Sequence, residues 1–464
     1  VSFPAYPKYK EAGFVGLDKA PKHWQIFRFK QLFQEINQRS ESGEEELLSV
    51  SEYYGVKPRA EKIEEGEHLS RAETLEGYKI CQPGDLVMNI MLAWKRGLGI
   101  SRYHGIVSPA YAVFRLVRQA NGQYYHYLLR SEEYIGYFKT FSSGVIDSRL
   151  RLYPEVFGRL TALYPPKEEQ IQIARFLDHE TARIDALIEE QQRLIELLKE
   201  KRQAVISHAV TKGLDPNVPM KDSGVEWLGE VPEHWRVSKL AHYAKVLTGF
   251  PFPSASFSHN ESDVRLLRGA NIGVGLLKWQ DTVYWELNEG DALSSYLMDE
   301  GQIVLGMDRP WIGEGIRIAR VSREDMPCLL LQRVAAITSN KELDDDYLYC
   351  LLASELFKAY IEPDLTGVSV PHVSSEQILS YQIPVPDKVE QREIASFIRQ
   401  QLDRMSALFI QASESIKLLK ERRAAIISAA VTGKIDVRNW QPAQLNATDT
   451  DDYAMVAEPA AEYR

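Results

Sequence analysis

Cysteine is scarce in this sequence. Three residues in 464, Cys81, Cys328 and Cys350, stand far apart with no CxxC pair. That excludes a disulfide-built scaffold and argues against a structural zinc finger. Long apolar runs are also missing. None approaches the ~20 residues that a membrane span needs, and no signal peptide opens the sequence, so a soluble, cytoplasmic protein is expected. There is no basic excess either: 55 basic against 65 acidic residues give a net charge of −10. Non-specific coating of nucleic acid is therefore unexpected, although a local basic face stays possible. No GxxxxGK[ST] loop, HExxH pair or His/Cys cluster occurs, so neither ATP nor a metal ion is expected on this chain.

What the sequence does have is repetition. KEAGFVGLDKAPKHW at 10–24 returns as KDSGVEWLGEVPEHW at 221–235. Lys10, Gly13, Pro21, His23 and Trp24 thereby match Lys221, Gly224, Pro232, His234 and Trp235. A longer pair, 169–211 and 390–432, aligns without a gap, with 20 of 43 positions identical. Such identity marks an internal duplication. The segments between the repeats, roughly 25–163 and 236–384, show little mutual similarity. One framework is kept while its contents differ, as suits a device holding two unlike readers in one geometry.

Each long repeat follows prolines (Pro165-Pro166, Pro384 and Pro386) and stops near a glycine, Gly213 or Gly433. These are helix start and stop signals. Between them runs a 4–3 apolar spacing: Leu177, Thr181, Ile184, Ile188, Gln191, Ile195, Leu198, Arg202 and Val205. Its copy is Ile398, Leu402, Met405, Phe409, Ala412, Ile416, Leu419, Arg423 and Ile426. The apolar members form a coiled-coil seam. A helix of 40 residues is a rod of about 60 Å, and duplicated rods pack most simply antiparallel about a pseudo-two-fold axis. The basic stretches Lys199–Ala204 and Lys420–Ala425 are expected to complement the helix C-termini rather than to touch a ligand.

The intervening segments read as α/β with short strands. In the first, 45–59, 78–91 and 105–116 are strand-like; in the second, 263–275, 298–307, 315–321 and 329–337 are. Small-residue loops follow at 141–151 and 365–375. With GVEWLGEVPEHW (224–235), the openings Glu169-Gln170 and Glu390-Gln391, LLRGANI (266–272), PGDLV (83–87) and GIVSPAY (105–111), the chain resembles the specificity subunits of type I restriction-modification systems over residues 9–440. Phe14 and Asp18 depart from the pattern of the second copy, which has Val225 and Gly229.

The resemblance implies an α+β fold: two α/β target-recognition domains, 1–163 and 216–384, separated by two long spacer helices, 164–215 and 385–437, packed as an antiparallel coiled coil. An acidic, disordered tail is expected at 438–464. It further implies a non-catalytic subunit whose two domains each read one half of a split double-stranded DNA target. The helices would set the gap and dock two methyltransferase subunits, with motor-nuclease subunits completing the complex. S-adenosylmethionine, and ATP with Mg2+, would serve those partners and not this chain; no membrane is involved. A ~60 Å rod covers nearly two turns of B-DNA at about 34–36 Å each.

Base readers come from polar and basic loop residues, because phosphate contacts position and base contacts specify. The candidates are Lys57, Arg59, Lys95, Arg96, Arg102, Arg149 and Arg151 in the first domain. In the second they are Arg268, Asn271, Arg309, Trp311, Arg317 and His372. Asp308-Arg309-Pro310-Trp311 approaches the Asp/Asn-Pro-Pro-aromatic turn of amino-methyltransferases. It carries Arg309 where that turn has proline, and no Gly-rich loop lies upstream, so a DNA-facing role is expected instead. His23, His234, Trp24 and Trp235, being repeated, are expected to pack or cap. The rival reading is a coiled-coil adaptor that never meets DNA. It explains the duplication but not two diverged domains with basic, Gly-broken loops.

Overall fold

The computed structural model describes residues 3–59, 74–146, 149–288, 290–313, 315–365 and 371–442. The chain forms two compact units. One takes the described residues up to 190 and from 415 onward; the other takes 191–414. The boundary cuts both long helices, so each unit owns half of each, which differs from the linear order of domains and spacers read from the sequence.

The long helices are α4, Lys167–Lys212, and α8, Lys388–Val431. Both end at a glycine in the left-handed conformation, Gly213 and Gly433, each with φ 74°. A Cβ at Gly213 would come within 3.3 Å of the Trp235 ring, and one at Gly433 would collide with Pro21. Stop signal and close packing therefore coincide at these two positions. The helices run antiparallel. In the first unit Ile173, Phe176, Leu177 and Ile184 share a core with Ile426, Ala430 and Val431. Arg423 there clamps Asp185 through two bonds of 2.8 and 3.1 Å. In the second unit Ile206, Ala209 and Val210 share a core with Ile394, Ala395 and Ile398.

Of the expected seam, Leu177, Ile184, Leu198, Ile398, Met405 and Ile426 are buried. Ile188, Ile195, Val205, Ile416 and Leu419 are half-buried. Phe409 is not a seam residue: it is 40 % exposed. A straight helix drifts by about 20° per heptad from a strict 3.5 repeat, which carries some a/d positions off the contact line. The basic stretches also sit differently from expectation. Lys199–Ala204 ends a full two turns before Lys212, beyond the reach of dipole complementation.

The segments that look unrelated in sequence share a central topology, although their smaller sheets differ. Each holds a four-stranded antiparallel sheet of the same order. The first runs Phe33–Ile36, Tyr111–Leu116, Leu86–Asn89, Leu98–Ile100. The second runs Ala244–Thr248, Val334–Ser339, Ile303–Gly306, Ile318–Arg320. Two short helices follow each sheet: α1 (Gly122–Leu129) and α2 (Glu132–Phe141), or α5 (Asp345–Leu352) and α6 (Glu355–Leu365). Then come α3 (Pro154–Arg159) or α7 (Ser375–Ser380) and a strand, Thr161–Tyr164 or Gln382–Val385. That strand pairs antiparallel with the residues after the leading motif, Gln25–Arg28 or Arg236–Lys239. The run 329–337 is not one strand: Cys328–Leu330 and Val334–Ser339 belong to different sheets. The three cysteines are free and buried.

The repeated residues weld these parts together. In the first turn of α4, Glu169 accepts the Trp24 indole N–H at 2.8 Å, His23 at 2.7 Å and the Tyr6 hydroxyl. Glu390 in α8 accepts Trp235 and His234, both at 3.0 Å. The next residue ties in the domain: Gln170 Oε1 accepts from Asn121 N at 2.8 Å, and Gln391 Oε1 from Asp344 N at 2.7 Å. Asn121 and Asp344 are the N-caps of α1 and α5. His23 and His234 thus serve the frame, as their repetition implied. Burial and the bond to Glu169 push the Tyr6 phenol pKa far up.

In the first unit the chain closes on itself. Tyr9 donates to Gly433 O at 3.1 Å, Asp436 N donates to Pro4 O at 2.7 Å, and Phe3 and Trp440 pack edge-on against Phe176. The expected loose tail therefore fails at its first residues: Trp440 is anchored, its carbonyl accepting from Gln172 at 2.6 Å. Residues 443–464 with their five acids lie outside the described residues. No helix among the described residues is long and apolar enough to cross a membrane.

Replacing Glu169 by alanine strands two buried donors, and each unsatisfied group costs about 1–3 kcal/mol. Urea unfolding should show a loss of roughly 2–5 kcal/mol for Glu169→Ala. Glu390→Ala should lose less, because Glu390 is itself less buried and its loss strands one buried donor, Trp235, instead of two. Two unchanged unfolding curves would contradict this account.

Candidate nucleic-acid interface

The sheets present corresponding tips. In the first unit Leu152 N donates to Ile90 O at 2.9 Å; in the second Val373 N donates to Met307 O, also at 2.9 Å. The residues just before these donors are Arg151 and His372, so two of the expected readers occupy equivalent places on different backbones. Arg151 is bridged to Ser143, and His372 to Asp308.

The first tip is basic and aromatic. Trp94 donates its indole N–H to Met91 O at 3.0 Å, which fixes the ring. Lys95 Nζ lies 4.9 Å and Lys139 Nζ 5.3 Å from that ring's centre. Met91 and Leu92 are exposed beside it, as are Arg149 and Arg151. Arg59 belongs near this end of the sheet, close to Tyr111. Burial raises that phenol's pKa and Arg59 partly offsets the rise. Trp94 itself is buried and supports the surface from below, so the cations with exposed Met91 and Leu92 form the face suited to phosphates and base edges.

The second tip is a polar cluster drawn from three segments. His372 Nδ1 lies 2.7 Å from Asp308 Oδ1 and 3.3 Å from an Arg333 guanidinium nitrogen. Arg309 N donates to Pro371 O at 2.7 Å, and its side chain is exposed. Arg333 did not emerge from the sequence because it lies inside an apolar run. The available signal was Gln332-Arg333, two polar residues interrupting that run.

A separate cleft of 810 Å³ in the first unit contains Lys57, Arg96 and Arg102 together with Lys420 and Arg423 of α8. Its charges are largely engaged internally. Arg423 holds Asp185, Arg96 holds Glu132 and Arg130 O, and Arg102 bonds Gln123. Arg130 donates to the carbonyls of Ser51, Glu52, Arg96 and Leu98. Burial, with Arg130 and Arg102 nearby, lowers the His126 pKa to about 3, so this imidazole is neutral. The second unit has a 550 Å³ cleft where Trp311 meets Lys199, Arg202 and Gln203 of α4. Trp311 is half-buried against the core there, which explains an aromatic at that position without a ligand.

Three expected readers are structural. Asn271 is fully buried; its Oδ1 accepts from Arg268 N at 3.0 Å and its Nδ2 donates to Lys278 O at 2.8 Å. The Arg317 guanidinium donates to the carbonyls of Ile272, Asp308 and Gly269, and burial lowers its pKa. Arg268 donates to Asp281 O and is half-buried. Arg and Asn in Gly-rich runs usually lie in exposed loops, which is why the sequence points outward for these three; here they staple those loops.

Residues 237–418 match the model of the type I restriction modification DNA specificity domain. The MjaVIII specificity subunit of Methanocaldococcus jannaschii is 30% identical over 286 residues, 61% of this chain. The chain is thus similar to the specificity subunits of type I restriction-modification systems. The EcoAI specificity subunit of Escherichia coli is 31% identical over 204 residues, 44% of the chain. The chain aligns with less than two thirds of the curated relatives, 64% of the first and 34% of the second. Among solved structures, one from work on complex assembly and conformational transition of a type I R-M system has a TM-score of 0.64 at 16% identity. It covers 90% of this chain and 99% of its own. The HsdS subunit of Thermoanaerobacter tengcongensis has a TM-score of 0.50 at 17% identity, covering 90% and 98%. These likenesses concern the fold.

Within this fold, Asn271→Ala should act on stability and not on recognition. Loss of its buried bonds should lower thermal stability by about 1–3 kcal/mol, with any recognised sequence unchanged. An altered recognition sequence at unchanged stability would contradict the assignment.

Proposed function

We propose that this chain is the non-catalytic DNA-reading subunit of a type I restriction-modification complex, each domain reading one half of a split target. The observation that carries this is the pair of equivalent tips, Trp94 with Lys95 and Arg151 against Asp308 with Arg333 and His372, mounted on one duplicated frame. A shared backbone with unlike side chains is what two half-site readers need, because base edges differ while duplex geometry does not. An adaptor would need the frame but not two polar tips.

The long helices also carry exposed apolar residues at matching places. Leu187 and Leu408 are equivalent, as are Leu197 and Leu418, with exposures of 37, 47, 47 and 55 %. Such faces suit protein partners. Their occurrence once per repeat supports docking of two methyltransferase subunits, which would bring S-adenosylmethionine, while motor-nuclease subunits would bring ATP and Mg2+. Local tips rather than net charge then supply recognition, and partners add phosphate contacts.

Modified-base sequencing of DNA from cells co-expressing this chain with its neighbouring methyltransferase tests the proposal. The expected result is a split motif methylated on adenine in both strands and lost when the chain is deleted. A methylation pattern indifferent to the chain would contradict it.

A further inference from the structure

The second tip contains an expense in backbone energy that the fold does not require. Among the described residues, four that are not glycine have positive φ: Arg96, Asp281, Arg309 and Arg333. Arg309 stands at 46° and Arg333 at 71°, both on this tip. Left-handed backbone costs an L-residue about 1–2 kcal/mol, and glycine adopts it freely. Glycine would serve the turn better, so the arginine side chains are retained for something other than folding.

The groups beside them have a defined chemistry. Asp308 and Arg333 are 37 % and 58 % exposed at their side chains, and His372 is 33 % exposed. His372 braces the Asp308 carboxylate at 2.7 Å while Arg333 stays 3.7 Å away, close enough to share an orientation but not closed into a tight pair. Beneath them, Arg317 holds Asp308 O at 3.1 Å, and Met307 N holds Arg333 O at 3.0 Å. The turn carrying the carboxylate and the residue carrying the guanidinium are thus fixed to one strand end. In the major groove, arginine is the bidentate partner of guanine O6 and N7, and aspartate accepts from the cytosine amino group.

We propose that Arg333 and Asp308, braced by His372, read a G·C pair in the half-site of the second domain. This rests on the DNA-reading function proposed above. Arg333 takes the guanine edge and Asp308 the cytosine N4 group; an A·T pair offers an amino donor but no O6/N7 pair of acceptors, so the two contacts together select G·C.

The test is modified-base sequencing of cells that co-express the methyltransferase with the wild-type chain, Arg333→Gly or Asp308→Asn. Glycine relieves the left-handed strain, so Arg333→Gly should melt no lower than the wild type. Both variants should relax one G·C position of the second half-site, with discrimination falling roughly 10–100-fold there, and leave the other half-site intact. Three results overturn the assignment: the wild-type motif retained letter for letter; methylation weakened equally at all sequences with a shallower salt dependence, the mark of a phosphate contact; or early melting of Arg333→Gly, the mark of a structural arginine. If the wild-type chain directs no motif, the DNA-reading function itself fails, and it does so before any variant is compared.

Discussion

A carboxylate in the first turn of a long helix, accepting the indole N–H of a buried tryptophan, is the joint on which each half of this protein depends. Glu169 and Glu390 hold Trp24 and Trp235. Their neighbours Gln170 and Gln391 hold the N-caps of α1 and α5. Two adjacent side chains thereby fix the leading hairpin, the long helix and the reading domain in one relation. The carboxylates also sit where the helix dipole favours negative charge. Because the joint uses repeated side chains and, from the intervening segments, only backbone N–H groups, the side chains between the repeats are free to diverge.

That freedom is visible in the sheets. Identical strand order coexists with unlike tips, a caged tryptophan with lysines on one and a carboxylate–histidine–arginine cluster on the other. The backbone hydrogen bonds that support the tips are matched, Leu152 to Ile90 and Val373 to Met307. The central sheet is common to both, while the tip side chains and the accessory strands around that sheet differ. The strained arginines of the second tip fit this division, since strain concentrates where function overrides local preference.

Much of the frame was legible in the sequence. The duplication, the proline starts, the glycine stops and the core role of the repeated tryptophans all follow from local rules that tertiary context did not override. The common topology of the two domains was not legible, because short strands tolerate any apolar sequence with a suitable period. The site was half legible. Arg151, Arg309 and His372 stand at the tips, but Asn271 and Arg317 turned inward, since only the folded loop supplies the carbonyls that satisfy them. Arg333 was hidden by its apolar neighbours. Phe409 left the seam through helical drift, which a heptad pattern does not record.

The central claim is that the two frames are interchangeable holders of different readers. It is tested most directly by replacing residues 25–163 with residues 236–384, which places the second reader in both frames, and sequencing the modified bases that the resulting complex leaves. The account predicts a target in which both halves carry the sequence that the second reader recognises. A target that keeps the original first half-site would contradict it.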